Sequence, residues 1–340
     1  MYFKNQLIEM ETLQEHLLKK IKVLNETTWE YRVHRPKIDK WLDNFDDEKE
    51  KLHALYLLSH FMYFGSLQIR ELLKSLYRDL FKYPIIEKLR IAKSHNTDFK
   101  ELEKFFNEAE SKTRFLGIGN PSESGTHLLY FFRQENKMSK SLFINTHEIY
   151  EIDPNGRLAF IDDSIDHYVF IDDFCGSGTQ ASSYSEKIVK NIKQINANVK
   201  VSYLMLFSTT FGKNEVKKNT LFDYVEAVVE LDDSFKCFDS SSRYFEGAPS
   251  EIDKLYMQKV CEGYGSTLMT HICEQLGFTK ITNPPLSDVV NESRLGWGNS
   301  QLLIGFHHNT PDNTLPIVWY DEEVVNWFPI FRRYNKKYGS

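Results

Sequence analysis

Apolar residues recur at helical intervals through the first hundred positions. Leu7, Met10, Leu13 and Leu17 fall on one helix face, as do Leu52, Leu55, Ser59 and Met62. The run Leu67 to Phe81 repeats the pattern, and Pro84 then punctuates it. Gly65 is the only glycine before Gly117. The spacing predicts a helical layer over residues 1–110. Such a layer is either a lid packed on the next domain or a platform for a partner or regulator.

The pattern changes near Thr113. Phe115–Ile118, Ser141–Asn145, Tyr168–Ile171, Val199–Phe207 and Val225–Leu231 read as short apolar strands. Ala181–Ile195 is amphipathic through Tyr184, Ile188, Ile192 and Ile195, and Asn214–Phe222 is a shorter helical segment. Apolar strands alternating with helices predict an α/β core whose parallel sheet is covered on both faces. From about Asp239 a helix over Glu251–Leu276 leads to a loop-rich tail with a strand at Gln301–Phe306. The expected division is a helical region at 1–110, an α/β core at 111–238, and a C-terminal helix and hood at 239–340 that complete the core.

Composition narrows the class. The chain has 340 residues, enough for one large domain or two ordinary ones, and its 41% hydrophobic content excludes wholesale disorder. A formal charge of −6 argues against a general binder of phosphate backbones, so direct nucleic-acid binding is not expected. Cys175, Cys237, Cys261 and Cys273 are scattered with no CxxC pair, which fits reduced thiols in a cytoplasmic protein. The first twenty residues carry acids within their apolar stretch and do not read as a signal peptide. The most apolar run, Ala54 to Gly65, is too short to span a bilayer.

The sharpest chemical feature is Tyr168 to Gln180, YVFIDDFCGSGTQ. An apolar strand ends in Asp172 and Asp173; a loop with Gly176, Ser177 and Gly178 follows, and a helix begins near Thr179. Ligands of open α/β sheets bind beyond the carboxyl ends of the strands. Glycine-rich backbone and hydroxyls there suit a phosphate, whereas paired carboxylates suit a sugar diol. Together they describe a site for ribose 5-phosphate, with Mg2+ arriving bound through the substrate. A plain strand-to-helix turn capped by an acid is the simpler alternative.

This segment resembles the signature of type I phosphoribosyltransferases. The resemblance implies that Asp172 and Asp173 hold the ribose hydroxyls of phosphoribosyl pyrophosphate, and that Gly176, Ser177, Gly178, Thr179 and Gln180 hold its 5-phosphate. Gly176 and Gln180 stand where that family commonly has small hydroxyl residues. The family also has a pyrophosphate loop after an early strand; here Ser122, Ser124 and Gly125 in NPSESGT occupy that place, as a pyrophosphate loop or as an ordinary polar turn. Arg133 and Arg243 are candidates for leaving-group charge, or surface cations. Asn309, Asn313 and Trp319, with Trp297 and Phe306, could form a hood that selects a base. No metal site is expected at His307-His308, because adjacent side chains on a strand point to opposite faces.

The helical N-terminal region, the IDDFCGSGTQ loop and the tail LLIGFHHNTPDNTLPIVW together resemble the phosphoribosyltransferase-like proteins of bacterial conflict systems, found beside retrons and other anti-phage modules. That resemblance implies a toxin effector held in check, and a defence-system partner bound through residues 1–110. The expected activity is glycosyl transfer or hydrolysis at a ribose-phosphate compound: a nucleotide, phosphoribosyl pyrophosphate or NAD. The rivals are a non-catalytic nucleotide sensor and a structural subunit.

Overall fold

The structure, a computed structural model, describes residues 2–119, 124–321 and 324–334; side chains of residues 2–9 and 124–127 are outside the description. In chain order the elements are α1 (Tyr2–Thr27), α2 (Arg35–Leu42), α3 (Glu48–Leu58), β1 (Met62–Phe64), α4 (Ser66–Ser75), α5 (Tyr83–Ala92) and α6 (Phe99–Ser111). Next come β2 (Thr113–Gly117), α7 (Ser124–Glu135), β3 (Tyr150–Ile152), β4 (Leu158–Phe160), β5 (His167–Cys175), α8 (Thr179–Tyr184) and α9 (Lys190–Ile195). The chain continues with β6 (Lys200–Thr209), α10 (Thr210–Asn219), β7 (Tyr224–Leu231), α11 (Lys254–Gln275), α12 (Leu286–Ser293), β8 (Ile304–Phe306) and α13 (Pro316–Trp319).

These elements form two units, residues 67–232 and residues 1–66 with 233–340. The first is α/β. Its four-stranded sheet has the order β2-β5-β6-β7 and is parallel throughout, as the apolar strand runs predict. β5 and β6 are central and buried on both faces, which is why YVFI and VSYLMLF are continuously apolar. One face carries Tyr168, Phe170, Tyr203 and Met205 in a core with Val189, Ile192 and Val216 of the crossover helices. On the other, Phe81 and Phe132 meet Phe115 edge-on or tilted, at 4.9 and 5.5 Å between ring centres.

Several local expectations differ from the structure. Ser141–Asn145 is not a strand: Ser139 accepts the Ser141 N–H and caps a 3-10 turn at Lys140–Leu142, leaving only a single bridge from Phe143 to Phe115. Pro84 does not end its helical run. A π-helical segment, Leu76–Lys82, directly precedes α5, and its wider turn accommodates a ring that an α-helix interior excludes. A second π segment, Ser185–Val189, joins α8 to α9 where the buried Ser185 hydroxyl accepts the Leu221 N–H at 2.9 Å. The expected strand at Gln301–Phe306 shortens to Ile304–Phe306, because Asn299 and Gln301 take left-handed φ values of 52° and 53°.

The unit boundaries also differ from those read off the sequence. Residues 67–110 pack with the sheet, and residues 239–340 belong with residues 1–66 instead of completing the α/β core. Specific bonds between distant segments produce this. The Trp41 indole donates to the Ile317 carbonyl at 2.8 Å, and Asn44 both donates to and accepts from the Phe328 backbone. The Tyr56 hydroxyl donates to the Tyr244 carbonyl, the Asp253 N–H donates to His53, and β1 pairs with β8 in parallel. A large apolar core including Trp29, Trp41, Trp319 and Phe331 lies beneath them.

Within this unit α11 approaches the end of α12 at Gly265, where a Cβ would sit 1.9 Å from the Arg294 carbonyl oxygen. Gly265→Ala is therefore expected to destabilise by about 1–3 kcal/mol. Thermal unfolding checks this: an unchanged midpoint would contradict the close packing of α11 on α12.

Candidate functional site

Every strand of the sheet points the same way, so the carboxyl end of β5 lies at the sheet edge where α/β proteins place ligands. β5 lies between β2 and β6, with Gly117 opposite Ile171 and Ser208 opposite Cys175. The loop after Cys175 is tied to the corner where β6 becomes α10. The Ser208 hydroxyl donates to the Cys175 carbonyl at 3.1 Å, and the Thr209 hydroxyl donates to the Gly176 carbonyl. Thr209 also caps α10 by accepting the Gly212 N–H at 2.9 Å.

This corner needs glycine on both sides. A Cβ at Gly212 would lie 2.2 Å from the Gly176 carbonyl oxygen. Gly178 has φ +80°, and a Cβ there would be 2.8 Å from Val216. In a trans peptide the C=O and the following N–H point in opposite directions. With the Cys175 and Gly176 carbonyls held against the corner, the N–H groups of Gly176 and Ser177 are directed away from it. The Ser177 and Thr179 hydroxyls meet at 2.8 Å, and Gln180 is exposed in the first turn of α8. The loop thus carries amides directed away from the corner and two hydroxyls, groups from which an oxyanion can accept hydrogen bonds.

The two acids do not form the matched pair expected. Asp172 shares the face of Tyr168 and Phe170 and is buried, with 7% exposure. Its carboxylate accepts the Tyr203 hydroxyl at 2.7 Å and the Asp173 N–H at 2.9 Å. Burial first, and then the charge of Asp173, raise its pKa well above the usual carboxylate range; the Tyr203 hydrogen bond opposes this. Asp173 remains half-buried at the strand end. Cys175 lies beside the same network; burial, then the Asp172 charge, push its thiol up to about 11, so it is a packed thiol and not a nucleophile.

The remaining candidates belong to other elements or lie outside the described residues. Ser122 lies outside the described residues; Ser124 and Gly125 open α7, and their side chains are not described. Arg133 sits in the last turn of α7, nine residues or roughly 13 Å along the axis from the helix start, with its guanidinium 5.9 Å from the Tyr130 ring centre. The helix itself carries Arg133 away from the carboxyl edge.

Arg243 belongs to the other unit. It lies 3.5 Å from the Phe235 ring centre and donates to the Ser234 hydroxyl at 2.7 Å. The expected base hood is knitted into that unit's own structure. Asn309 accepts the Thr310 and Tyr334 N–H groups, Asn313 donates to the Trp297 carbonyl and the Ser300 hydroxyl, and the Trp319 indole donates to the Thr314 carbonyl. Asn313 and Trp319 are 5% and 2% exposed, so their stacking and edge groups are spent internally.

Sequence reasoning missed Tyr203, Thr209 and Gly212. A lone Tyr inside an apolar strand, and a Thr-Thr-x-Gly directly after one, are the signals that could have found them.

The family model PRTase-CE matches residues 38–333, and the chain belongs to that family. It is a phosphoribosyltransferase-like protein. No curated protein matches it. Solved structures similar to it include Helicobacter pylori xanthine-guanine-hypoxanthine phosphoribosyltransferase, 12% identical, covering 56% of this chain and 88% of that one with a TM-score of 0.28. Another is the AQ2163 protein from Aquifex aeolicus, 12% identical over 66% and 96% of the two chains, TM-score 0.28. A third is the hypoxanthine phosphoribosyltransferase of Trypanosoma cruzi, 11% identical over 52% and 86%, TM-score 0.24. At these scores the family assignment rests on the family model alone. Among the described residues no helix is long and apolar enough to cross a membrane, and no group of three or more His, Cys, Asp or Glu side chains is placed to hold a metal ion.

Asp172 gives the site a pH signature. A carboxyl whose folded pKa is raised contributes fully below the unfolded value near 4 and loses that contribution as pH rises through the folded value. Asp172→Asn keeps an oxygen to accept from Tyr203 and removes the charge. Melting temperatures are expected to fall more steeply with rising pH for the wild type than for the variant. A variant whose melting temperature falls as steeply as the wild type's between about pH 5 and 8 would contradict the raised pKa of Asp172.

Proposed function

We propose that the loop after β5 binds the 5-phosphate of a ribose-phosphate compound and that Asp173 accepts from the sugar hydroxyls, making the chain a phosphoribosyltransferase-like effector. What supports this is one arrangement: the Cys175 and Gly176 carbonyls are held to the Ser208–Thr209 corner, so the succeeding amides point away from it, at the strand end that carries Asp173. A ribose whose phosphate lies on these amides would present its diol to the strand end. Substrates of the required form are phosphoribosyl pyrophosphate, nucleotides and NAD.

The bond at C1 of ribose breaks with its electron pair departing on the pyrophosphate or base, which leaves oxocarbenium-like charge on the sugar. Asp173 would stabilise that charge and orient the ring, and the loop would fix the phosphate. Attack by a base gives transfer; attack by water gives hydrolysis. Asp172 acts through Tyr203 and the Asp173 N–H to hold the strand end in place. A divalent cation fits this site as a passenger of the substrate, because Asp172 is already engaged and one half-exposed carboxylate does not make a protein-built cage. The biological setting we propose is bacterial anti-phage defence, on the resemblance of the loop and tail to retron-associated proteins, with a partner engaging the N-terminal helices.

Two observations favour a second reading, a non-catalytic nucleotide sensor. Asp172 is withdrawn from the strand-end surface, and Gly176 offers no side chain in the phosphate loop. Calorimetry with phosphoribosyl pyrophosphate, ribose 5-phosphate and NAD, followed by product analysis, separates the readings. Binding in the wild type, weakened about tenfold or more in Asp173→Asn, is expected on either reading, since a hydrogen bond to a charged group is lost. Turnover selects the effector, and binding without turnover the sensor. Equal affinity of wild type and Asp173→Asn for all three compounds would overturn the ribose assignment.

A further inference from the structure

At the opposite end of the sheet, a pocket of about 60 Å³ opens between the helical run 76–88 and the amino ends of β5, β6 and β7. Leu80, Phe81, Pro84, Ile85 and Leu204 supply its apolar wall. Its polar lining is Lys88, Lys200, His167, Ser202 and Tyr224. His167 and Ser202 are buried, 6% and 1% exposed, and join across the two strands at 2.8 Å. Lys200 is half-buried, and neither it nor Lys88 forms an ion pair with a carboxylate among the described residues. We propose that this pocket binds a phosphate-sized oxyanion, held between the Lys88 and Lys200 ammonium groups with the Ser202–His167 pair at its floor.

Two cations that line one half-closed cavity repel one another, and an anion between them relieves that repulsion. The neighbouring groups show that strain. Burial, and then the charge of Lys88, lower Lys200 to about 8, with Asp223 opposing. Burial, and then Lys200 and Lys88, lower His167 to about 3, so its ring is neutral and serves as a hydrogen-bonding group. Asp223 does not fill the role of counter-ion. Its carboxylate already accepts from Lys193 at 2.6 Å and from the Val201 N–H at 2.7 Å. Lys213 and Glu226, which act on Tyr224 of the lining, are paired with each other.

A 60 Å³ space has room for a phosphoryl group but not for a base beside it. It lies six residues of β5, or roughly 20 Å, from Asp173. The proposal is therefore independent of the ribose-phosphate site.

Equilibrium dialysis of the full chain against inorganic phosphate tests it. The measurement is made in a Ser177→Ala/Thr179→Ala background, which removes the hydroxyls of the β5 loop. Lys200→Met is expected to weaken the remaining phosphate binding about tenfold or more, the loss of one charge-assisted contact. Lys88→Met, at an exposed position that tolerates substitution, is expected to weaken it in the same direction and serves if Lys200→Met fails to fold. Competition by ribose 5-phosphate at the Lys200-dependent site would mark a phosphate monoester as the source of the anion; binding of inorganic phosphate without such competition would mark the free ion. Phosphate binding unaltered by Lys88→Met, or absent from the background protein, would overturn the proposal.

Discussion

The close approach of two backbones holds the candidate site together. The turn after β5 lies so near the start of α10 that a Cβ at Gly212 would collide with the Gly176 carbonyl, and the Ser208 and Thr209 hydroxyls hold the turn's carbonyls. This constraint comes from the sheet itself. Parallel pairing of β5 with β6 puts Cys175 opposite Ser208, so the two strand ends must turn side by side. Once the carbonyls face the corner, peptide planarity sends the following amides away from it. The proposed anion site thus rests on how the strand ends are packed and does not require a positively charged side chain.

The same packing separates the roles of two adjacent acids. Asp172 lies on the face that Tyr203 occupies in β6, and Tyr203 stacks at 5.3 Å on Phe222. A carboxyl there is surrounded by apolar side chains and faces the charge of its neighbour, so it favours the protonated form. Asp173, one residue on, retains access to solvent. Two identical residues in sequence therefore differ in chemistry because one is pinned in the core and the other is at its edge.

Much of the α/β unit was legible from the sequence. Uninterrupted apolar runs such as Tyr168–Ile171 leave no polar face, which demands cover on both sides, and the helices between them supply it. The glycines of the loop were legible for the same kind of reason, since only the backbone can make that turn. What the sequence could not reveal were pairings between distant segments. Nothing in LLIGFHHNTPDNTLPIVW announces that its residues pack with Trp41 and β1. Asn309, Asn313 and Trp319 looked available because amides and indoles serve ligands and turns equally well; their partners decide between the two. The lysine pocket was also hidden, as Lys88 and Lys200 lie far apart in the chain and line one cavity only where the helical run 76–88 packs against the strand starts.

The central claim is that outward-facing amides of the β5 loop receive a sugar phosphate. The most direct measurement is an amide-resolved NMR titration of the full chain with ribose 5-phosphate. The Gly176 and Ser177 amides should shift with saturation, together with Asp173, while amides around Trp319 stay in place. Saturable shifts confined to other segments, with Gly176 and Ser177 unmoved, would contradict it.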